Sequence, residues 1–361
     1  MTTHHCEPLT VIGGGVIGLT CALAALDAGH HVRVRDAGSA GRAAHVAAGM
    51  LGSLGEGHPG EDELLTHSAA SVRRWPALIA RLGDPWVLAA RDSLFVAATA
   101  ADAAHLRTLA EFVWARQPRT RDDLRPVDLD EIGCLETALS SRIHSGYLAT
   151  GEGAVDNRRL LVRLREAVLA AGGEVIDHRV DDLAEIADGQ ILVAAGLGSR
   201  ALVSGIALHA AKGEVLRLRA TAWSVPPPAR VIRARMHGRS VYLVPRAGGI
   251  VVGATQYEPF DESSTLPEAG GVTDLLTDAT DLMPALRTYE LVEAGAGLRP
   301  LTADGLPVIG RIDERVLVAT GHGRNGILLA PWTADRVLEL LDGTGPDELS
   351  PAGRNAGGNT C

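Results

Sequence analysis

Three glycines near the start of the chain follow an apolar run with the spacing G-x-G-x-x-G, at Gly13, Gly15 and Gly18. The apolar run predicts a buried strand, and the Ala- and Leu-rich stretch after the glycines predicts a helix. Residues 32–35 predict a second strand, which closes on Asp36. A strand, a glycine turn, a helix and a second strand together predict a Rossmann-type unit.

This arrangement suits the pyrophosphate of a dinucleotide. The first glycine permits a sharp turn, the second lets the backbone approach the phosphates, and the third lets the helix pack close to the strand. The helix N-terminus adds free N–H donors and a positive dipole end, and Asp36 can accept hydrogen bonds from a ribose diol. Because 42 of the 361 residues are glycine, the flanking elements rather than the spacing favour a dinucleotide over a glycine turn without a ligand. They do not distinguish NAD from FAD.

Length and charge narrow the possible partners. A chain of 361 residues can form two domains, each with its own core. The net charge of −10, without a basic run, disfavours nucleic acid and anionic membranes, and no apolar run approaches the roughly 20 residues of a membrane span. The four cysteines have no metal or redox spacing. The first residues lack the features of a secretory signal, so we expect a cytoplasmic location.

The stretch after Asp36, residues 37–63, is rich in small residues and has little periodicity. Long irregular segments in compact domains are usually functional or disordered. Its position after the ribose-binding acid favours packing along an extended cofactor, with Arg42 or His45 near the phosphates or the ring. A flexible loop is the alternative.

The next part of the chain predicts a mixture of helices and strands. Apolar spacing predicts helices over residues 63–82 and 102–116, and two short strands around residues 91–93. Residues 119–130 are charged and contain Pro126, so we expect a surface connection there.

The α/β pattern returns after residue 155. Asp156 or Asn157 can cap a helix that ends near residue 171, and residues 174–178 predict a strand. Residues 191–194 predict a strand that breaks into a second glycine-rich turn and rejoins the first sheet. The dinucleotide domain is therefore predicted to be discontinuous in sequence.

Between residues 208 and 297, short alternating segments separated by turns predict an antiparallel meander. We expect a hairpin turn at Gly248 and Gly249, a helix over residues 273–283 and a strand over residues 289–296. This sheet is the expected wall of a substrate pocket.

The last part of the chain predicts a strand over residues 316–320, a glycine-rich loop and a helix over residues 327–341. The predicted fold is α/β, with a discontinuous Rossmann-type domain and an antiparallel-sheet α+β substrate domain. The first domain is assigned to residues 8–80, 145–206 and 297–342, the second to residues 81–144 and 207–296, and residues 343–361 are expected to be a disordered tail.

Several segments resemble the D-amino-acid oxidase superfamily of FAD enzymes, and within it the glycine oxidases of bacterial thiamine biosynthesis. They are VIGGGVIGL, AAGML, VDNRRLL, ILVAAGLGS, VYLVPR, GLRPLTADGLPVIG and GHGRNGILLAP. The resemblance implies a glutathione-reductase-like FAD-binding domain. It also implies oxidation of glycine to its imine by hydride transfer from Cα to the flavin, with dioxygen as acceptor and hydrogen peroxide as product. The imine would give glyoxylate and ammonia or enter the thiamine thiazole.

The resemblance also implies roles for individual residues. Arg299 would hold the substrate carboxylate, Tyr242 would donate a hydrogen bond to it, and Arg324 would line the site. Arginine suits the first role because its guanidinium binds a carboxylate bidentately. The residues implied to bind or surround FAD are Gly13, Gly15, Val16, Ile17, Gly18, Asp36, Ala47, Ala48, Gly49, Met50, Val180, Ala195, Gly196, Gly323, Arg324, Asn325, Gly326, Ile327 and Leu328.

Each implied role has a structural alternative. Arg299 could form an ion pair between domains, Tyr242 could be a half-buried sheet residue, and Arg324 could make a loop contact to a carboxylate. His322 could act as a base, but a backbone role is favoured because the reaction needs only a free amine and an aligned Cα–H. Lys212 could steer substrate or dioxygen, or be a solvated charge at a strand end.

Other functions also remain open from the sequence. A sarcosine or D-amino-acid oxidase or dehydrogenase would use the same arginine and tyrosine, and a non-catalytic flavin-binding subunit would share the fold. The second glycine turn and the interrupted domain order favour FAD over NAD. The expected partners are a small amino acid, glycine above all, and dioxygen, and a homo-oligomer is one of the states open to the chain. Near the expected pocket, Gly323 and Gln256 replace the aromatic residue and the methionine of some family members.

Overall fold

The computed structural model describes residues 7–38 and 42–345. Within these residues the structure has sixteen strands and ten α-helices. The strands are β1 (Leu9–Ile12), β2 (Val32–Asp36), β3 (Leu88–Ala90), β4 (Ser93–Ala97), β5 (Leu124–Val127), β6 (Ser145–Ala149), β7 (Ala154–Val155), β8 (Glu174–Asp177), β9 (Gln190–Val193), β10 (His209–Arg219), β11 (Val231–Met236), β12 (Arg239–Arg246), β13 (Gly249–Gly253), β14 (Glu290–Leu301), β15 (Val308–Arg311) and β16 (Val316–Thr320).

The helices alternate with strands in the first sheet and are fewer around the second. They are α1 (Val16–Asp27), α2 (Ala43–Val46), α3 (Asp62–Val72), α4 (Trp75–Leu82), α5 (Ala100–Arg116), α6 (Leu129–Leu135), α7 (Asn157–Ala170), α8 (Ser199–Leu202), α9 (Ala269–Leu282) and α10 (Gly326–Leu341). None of the described helices is both long enough and apolar enough to cross a membrane.

The first sheet has six strands in the order β15-β16-β9-β1-β2-β8. The pairs from β16 to β8 are parallel, and β15 adds an antiparallel edge. The strands come from three separate parts of the chain, so the predicted discontinuous Rossmann-type sheet is confirmed. One apolar core joins β1, β2, α1, α7 and α10, as expected for a parallel sheet with helices on its faces.

Local sequence explains the helix that closes this unit. Asp156 is the N-cap of α7, and its carboxylate accepts the N–H groups of Arg158 and Arg159. The predicted cap is therefore confirmed, and the acid satisfies donors that the first turn leaves without partners.

The second sheet has eight strands in the order β14-β10-β13-β12-β11-β4-β6-β5. All neighbouring pairs are antiparallel except β11 and β4, which are parallel. The predicted meander is formed by β11, β12 and β13. Helix α9 packs on one face through Leu275, Ala279 and Leu282.

Four predictions of local structure need correction. Residues 119–130 are not only a connection, because they contain the edge strand β5, where Pro126 is tolerated since an edge strand has free backbone groups. The hairpin turn is Ala247-Gly248, with Gly248 at φ +72° and Gly249 already in β13. Residues 63–82 form two helices rather than one. Strand β14 continues five residues beyond residue 296 and contains Arg299.

The strands refine the proposed division into two domains. We propose that residues 145–149 and the whole of β14 belong with the substrate domain, because both lie in the eight-stranded sheet. The expected tail falls mainly on residues 346–361, which lie outside the described residues.

Candidate active site

A cavity of about 890 Å³ lies between the glycine-rich turns of the first sheet and one face of the second. It contains nearly all of the residues that the sequence predicts for the site. Those that line it are Gly13, Gly15, Val16, Ile17, Asp36, Ala47, Ala48, Gly49, Met50, Val180, Ala195, Gly196, Tyr242, Arg299, Gly323, Arg324, Asn325, Gly326 and Ile327.

The three motif glycines have three different surroundings. Gly13 has φ +117°, and a Cβ there would lie 2.4 Å from the carbonyl oxygen of Ala194. A Cβ at Gly18 would lie 1.9 Å from the carbonyl oxygen of Gly13, so this glycine lets α1 pack on the turn and does not line the cavity. A Cβ at Gly15 would meet no atom within 4 Å. Gly15 is therefore the position where a ligand can approach the backbone, at a helix N-terminus without a side-chain cap.

The predicted ribose-binding acid lies at the end of β2. Asp36 is buried, accepts the N–H of Gly38 at 3.2 Å and forms an ion pair with Arg42 at 3.0 Å. Arg42 therefore lies beside the acid and lines the cavity. His45 lines a smaller cavity of about 370 Å³, which shares Gly14, Asp36 and Arg42 with the larger one, so its place near the phosphates or the ring stays a prediction.

Backbone groups complete the cofactor end of the cavity. Val180 is buried and lines the cavity, and within the part of the chain that the structure describes its backbone N–H and C=O have no hydrogen-bond partner. Gly196 has φ +59°, and its carbonyl accepts the hydroxyl of Thr320 at 2.9 Å. Helix α10 begins with Asn325 as N-cap and no side-chain cap. Free donors and glycine turns are features that suit an extended dinucleotide such as FAD.

Leu328 is an exception among the residues implied to surround FAD. It is a core residue of α10 and does not line the cavity. Its carbonyl accepts the hydroxyl of Ser71 at 2.6 Å and the indole N–H of Trp75 at 3.1 Å. We therefore assign it to helix packing.

Two glycines create the space for the predicted substrate residues. Tyr242 lies opposite Gly253 in β13, where a Cβ would be 2.6 Å from the phenol oxygen. A Cβ at Gly213 in β10 would be 2.2 Å from Nη2 of Arg299. Each of the two side chains therefore crosses over a neighbouring strand, which is possible because that strand has a glycine at the point of contact.

The electrostatics of this pair favour a cation beside a neutral donor. Burial lowers the pKa of Arg299, and the nearby Tyr242 partly opposes the change. Burial raises the pKa of Tyr242, and Arg299 partly opposes that change. Arginine keeps its charge despite such a shift, and the tyrosine keeps its proton. The Nη1 atom of Arg299 donates to the carbonyl of Thr255 at 3.3 Å.

Arg324 belongs to a network of charges that the sequence did not reveal. Its Nε donates to Oε2 of Glu56 at 2.8 Å, and its Nη2 donates to Glu61 at 2.6 Å. Arg233 donates to the other oxygen of Glu56 at 2.5 Å. Burial opposes the charge on Glu56, but the two guanidinium groups outweigh burial and lower its pKa to about 2. The carboxylate contact that was the alternative for Arg324 is therefore present, and the residue also lines the cavity.

A second buried acid shapes the turn that carries Glu56. Glu152 is 2% exposed and accepts the hydroxyl of Ser53 at 3.0 Å and the N–H groups of Leu54 and Gly55. Burial raises the pKa of Glu152 despite these bonds. Near this turn the sequence shows only an acid between two glycines, Glu56, in an irregular segment. The turn and its contact with Glu152 were therefore not predicted from the sequence.

The two further candidates, His322 and Lys212, make contacts that do not involve the pair of Arg299 and Tyr242. His322 is buried, its Nε2 lies 2.9 Å from the hydroxyl of Thr333, and burial lowers its pKa to about 3. It is neutral at pH 7 and committed to a structural contact. Lys212 is 3% exposed rather than solvated. It precedes the cavity-lining Gly213, so it points to the opposite sheet face, towards Glu268.

The described residues contain no cluster of side chains that could hold a metal ion. The cavity therefore offers two kinds of chemistry. One end has backbone donors for a dinucleotide, and the other has a guanidinium and a phenol for a small anion.

Comparisons with known proteins agree with this geometry. A family profile described as FAD dependent oxidoreductase, DAO, matches residues 9–340. The chain is 30% identical to the glycine oxidase of Bacillus licheniformis over 92% of each chain. It is 28% identical to the bifunctional protein ThiO/ThiG of Synechocystis sp., covering 92% of this chain and 51% of that protein. The crystal structure of glycine oxidase from Geobacillus kaustophilus superposes with a TM-score of 0.84 at 28% identity, covering 96% of this chain and 98% of that one. The chain belongs to the DAO family of FAD-dependent oxidoreductases and is an FAD-dependent amine oxidoreductase.

Proposed function

We propose that this protein oxidises glycine, or another small amino acid, at the carbon between the amine and the carboxylate. The observation that carries the proposal is the state of Arg299. This guanidinium lines the cavity beside Tyr242, and its only hydrogen-bond acceptor among the described residues is the carbonyl of Thr255. Arg233 and Arg324, by contrast, are paired with acids. Arg299 therefore has free capacity for a carboxylate beside Tyr242.

The residues of the site then have separate tasks. Arg299 binds the carboxylate and sets its direction, because a guanidinium can form two parallel hydrogen bonds. Tyr242 donates a hydrogen bond from its hydroxyl group to the same carboxylate. With the carboxylate fixed, the amine and Cα can face only a limited part of the cavity. This restriction of orientation supplies much of the rate enhancement of the oxidation. Bound FAD supplies the two-electron acceptor.

No residue of the described cavity wall is required as a general base. Burial lowers the pKa of His322 to about 3, and two arginines lower the pKa of Glu56 to about 2, so both groups are weak bases. We propose that the substrate reacts with its amine unprotonated. The products are the imine, which water converts to glyoxylate and ammonia, and hydrogen peroxide from dioxygen. In the complete reaction, one glycine, one dioxygen and one water give one glyoxylate, one ammonia and one hydrogen peroxide.

The relatives support glycine as substrate and a place in thiamine synthesis. Glycine oxidases match along most of the chain, and proteins named ThiO/ThiG match in about half of their own length. We propose that the imine of glycine is used to build the thiazole of thiamine. Sarcosine and small D-amino acids are the alternative substrates, because the same two side chains would bind their carboxylates.

The visible spectrum of the purified protein tests the proposal directly. We expect a yellow protein whose flavin absorbance is bleached by anaerobic glycine and restored by air, with release of hydrogen peroxide. Sarcosine, D-alanine and D-proline are the parallel substrates, and Arg299→Met is the matched variant. A flavin that no member of the panel reduces would refute amine oxidation and favour a non-catalytic subunit. Reduction without peroxide, but with transfer to an artificial dye, would identify a dehydrogenase.

A further inference from the structure

The cavity wall continues beyond Tyr242 along one face of the second sheet. In the pairing of β11 with β12, Arg233 lies opposite Tyr242, and Arg235 lies opposite Ser240. All four residues line the cavity. Alternate residues of a strand share a face, and two residues advance by roughly 7 Å. Arg235 and Ser240 therefore form a second polar row, one step along the strands from Arg233 and Tyr242.

Arg235 is held in place by an acid that is committed to other bonds. Its Nε lies 3.8 Å from Oδ1 of Asp102. That carboxylate is 3% exposed and accepts the backbone N–H groups of His237 and Gly238 at 3.0 and 2.9 Å, and the hydroxyl of Thr99 at 2.8 Å. Within residues 7–38 and 42–345, the guanidinium of Arg235 makes no hydrogen bond of its own. Its donors are oriented by Asp102 but remain available to a ligand.

The surroundings of Arg235 favour an anion as that ligand. His105 of α5 also lines the cavity and interacts electrostatically with Arg235. Among the described residues, the acids that line the cavity are Asp36, Asp181 and Glu56. The first two lie at the cofactor end, and Glu56 is bonded to two arginines. Arg235 is therefore paired with Asp102, which does not line the cavity, and its guanidinium makes no hydrogen bond to an acid of the cavity wall.

We propose that Arg235, with Ser240, forms a second anion subsite for substrates that carry a further carboxylate. The substrate class is small amino acids with a second acid group on the nitrogen or the side chain. The α-carboxylate would bind Arg299 and Tyr242, and the second carboxylate would reach Arg235 through a short linker. This inference rests on the proposed function, because it assumes oxidation at the carbon next to the first carboxylate.

Pairs of substrates that differ only in the second charge provide the test. One pair is D-glutamate and D-glutamine, and the other is N-(carboxymethyl)glycine and its monoamide. In the native holoenzyme we expect kcat/KM for the acid to exceed that for the amide by about tenfold in at least one pair, which corresponds to about 1.4 kcal/mol. Equal values in both pairs, or no turnover of any of the four by an enzyme that oxidises glycine, would overturn the proposal.

Variants then assign the preference to Arg235. Arg235→Gln should reduce the acid-to-amide ratio to near one, and Arg235→Lys should keep part of it, since the charge remains and the planar fork is lost. Arg287→Gln, which removes an exposed charge outside the cavity, should leave the ratio at the native value. A native ratio in Arg235→Gln would overturn the assignment. Absence of turnover of glycine, sarcosine, D-alanine and D-proline by the native enzyme would instead refute the proposed function.

Discussion

Gly213 offers a way to displace the proposed carboxylate-binding cation without removing it. A Cβ at this position would lie 2.2 Å from Nη2, 2.4 Å from Cζ and 2.5 Å from Nη1 of Arg299. Ordinary contact begins at 3.4 Å. The atoms in the way belong to the end of a long side chain rather than to the backbone, so we expect Gly213→Ala to move the guanidinium and leave the strand intact.

The size of the movement sets the size of the effect. The guanidinium must retreat by about 1 Å, and a misplacement of this size can reduce a rate constant by about a hundredfold. We expect kcat/KM for glycine to fall by about that factor while flavin content and melting temperature stay near native values. Steady-state peroxide assays, with the flavin spectrum and thermal unfolding as parallel readouts, measure all three.

Two further variants make this result decisive. Arg299→Met should lower kcat/KM by roughly thirtyfold to several thousandfold, because truncating one partner of a charge pair costs about 2–5 kcal/mol. Gly295→Ala lies on β14 outside the cavity, where its Cβ would meet only Oε1 of Glu293 at 3.3 Å, and should change kcat/KM by less than about twofold. If Gly213→Ala and Arg299→Met both turn over glycine normally, Arg299 does not bind the carboxylate.

Three other predictions concern the acid between the arginines and the glycine turn. Glu56→Gln should lower the free energy of unfolding by about 3 kcal/mol, because Arg233 and Arg324 lose their shared charge. Since folding lowers the pKa of Glu56 from 4.5 to about 2, its contribution is complete above pH 4.5 and is lost as the pH falls from 4.5 towards 2. The free energies of unfolding of the native protein and of Glu56→Gln, measured with urea, should therefore converge as the pH falls through that window. A difference between the two that does not change with pH would contradict the reasoning. Gly15→Ala should lower flavin content without lowering the stability of the apoprotein, whereas Gly18→Ala should destabilise the fold by roughly 1–3 kcal/mol, as thermal unfolding of both apoproteins would show.

The cofactor half of the molecule could be predicted from sequence because its signals are local. The glycine spacing, the helix after it and the acid at the end of β2 lie within one continuous stretch. The N-cap of α7 is likewise decided by Asp156 and the backbone two and three residues later. Short-range geometry of this kind depends little on the rest of the chain.

The polar network could not be predicted because its partners are distant in sequence. Glu56 bonds Arg233 and Arg324, which are separated from it by 177 and 268 positions. Nothing near Glu56 indicates which cations approach it. Strand β5 was missed for a related reason, because Pro126 argues against a strand unless the strand lies at an edge, and the edge is a property of the whole sheet.

Strand β14 links the substrate end of the cavity to the cofactor end through backbone contacts. Arg299 lies within this strand, which pairs with β10 from Glu290 to Leu301. At its end, Leu301 forms an isolated antiparallel bridge with His322, the residue before the loop that carries Gly323 and Arg324. The backbone that carries Arg299, the proposed carboxylate-binding residue, is therefore bridged to the backbone expected to contact the flavin. A site that depends on aligning one carbon with a cofactor needs this kind of rigid connection, and His322 supplies it through its backbone rather than through its ring.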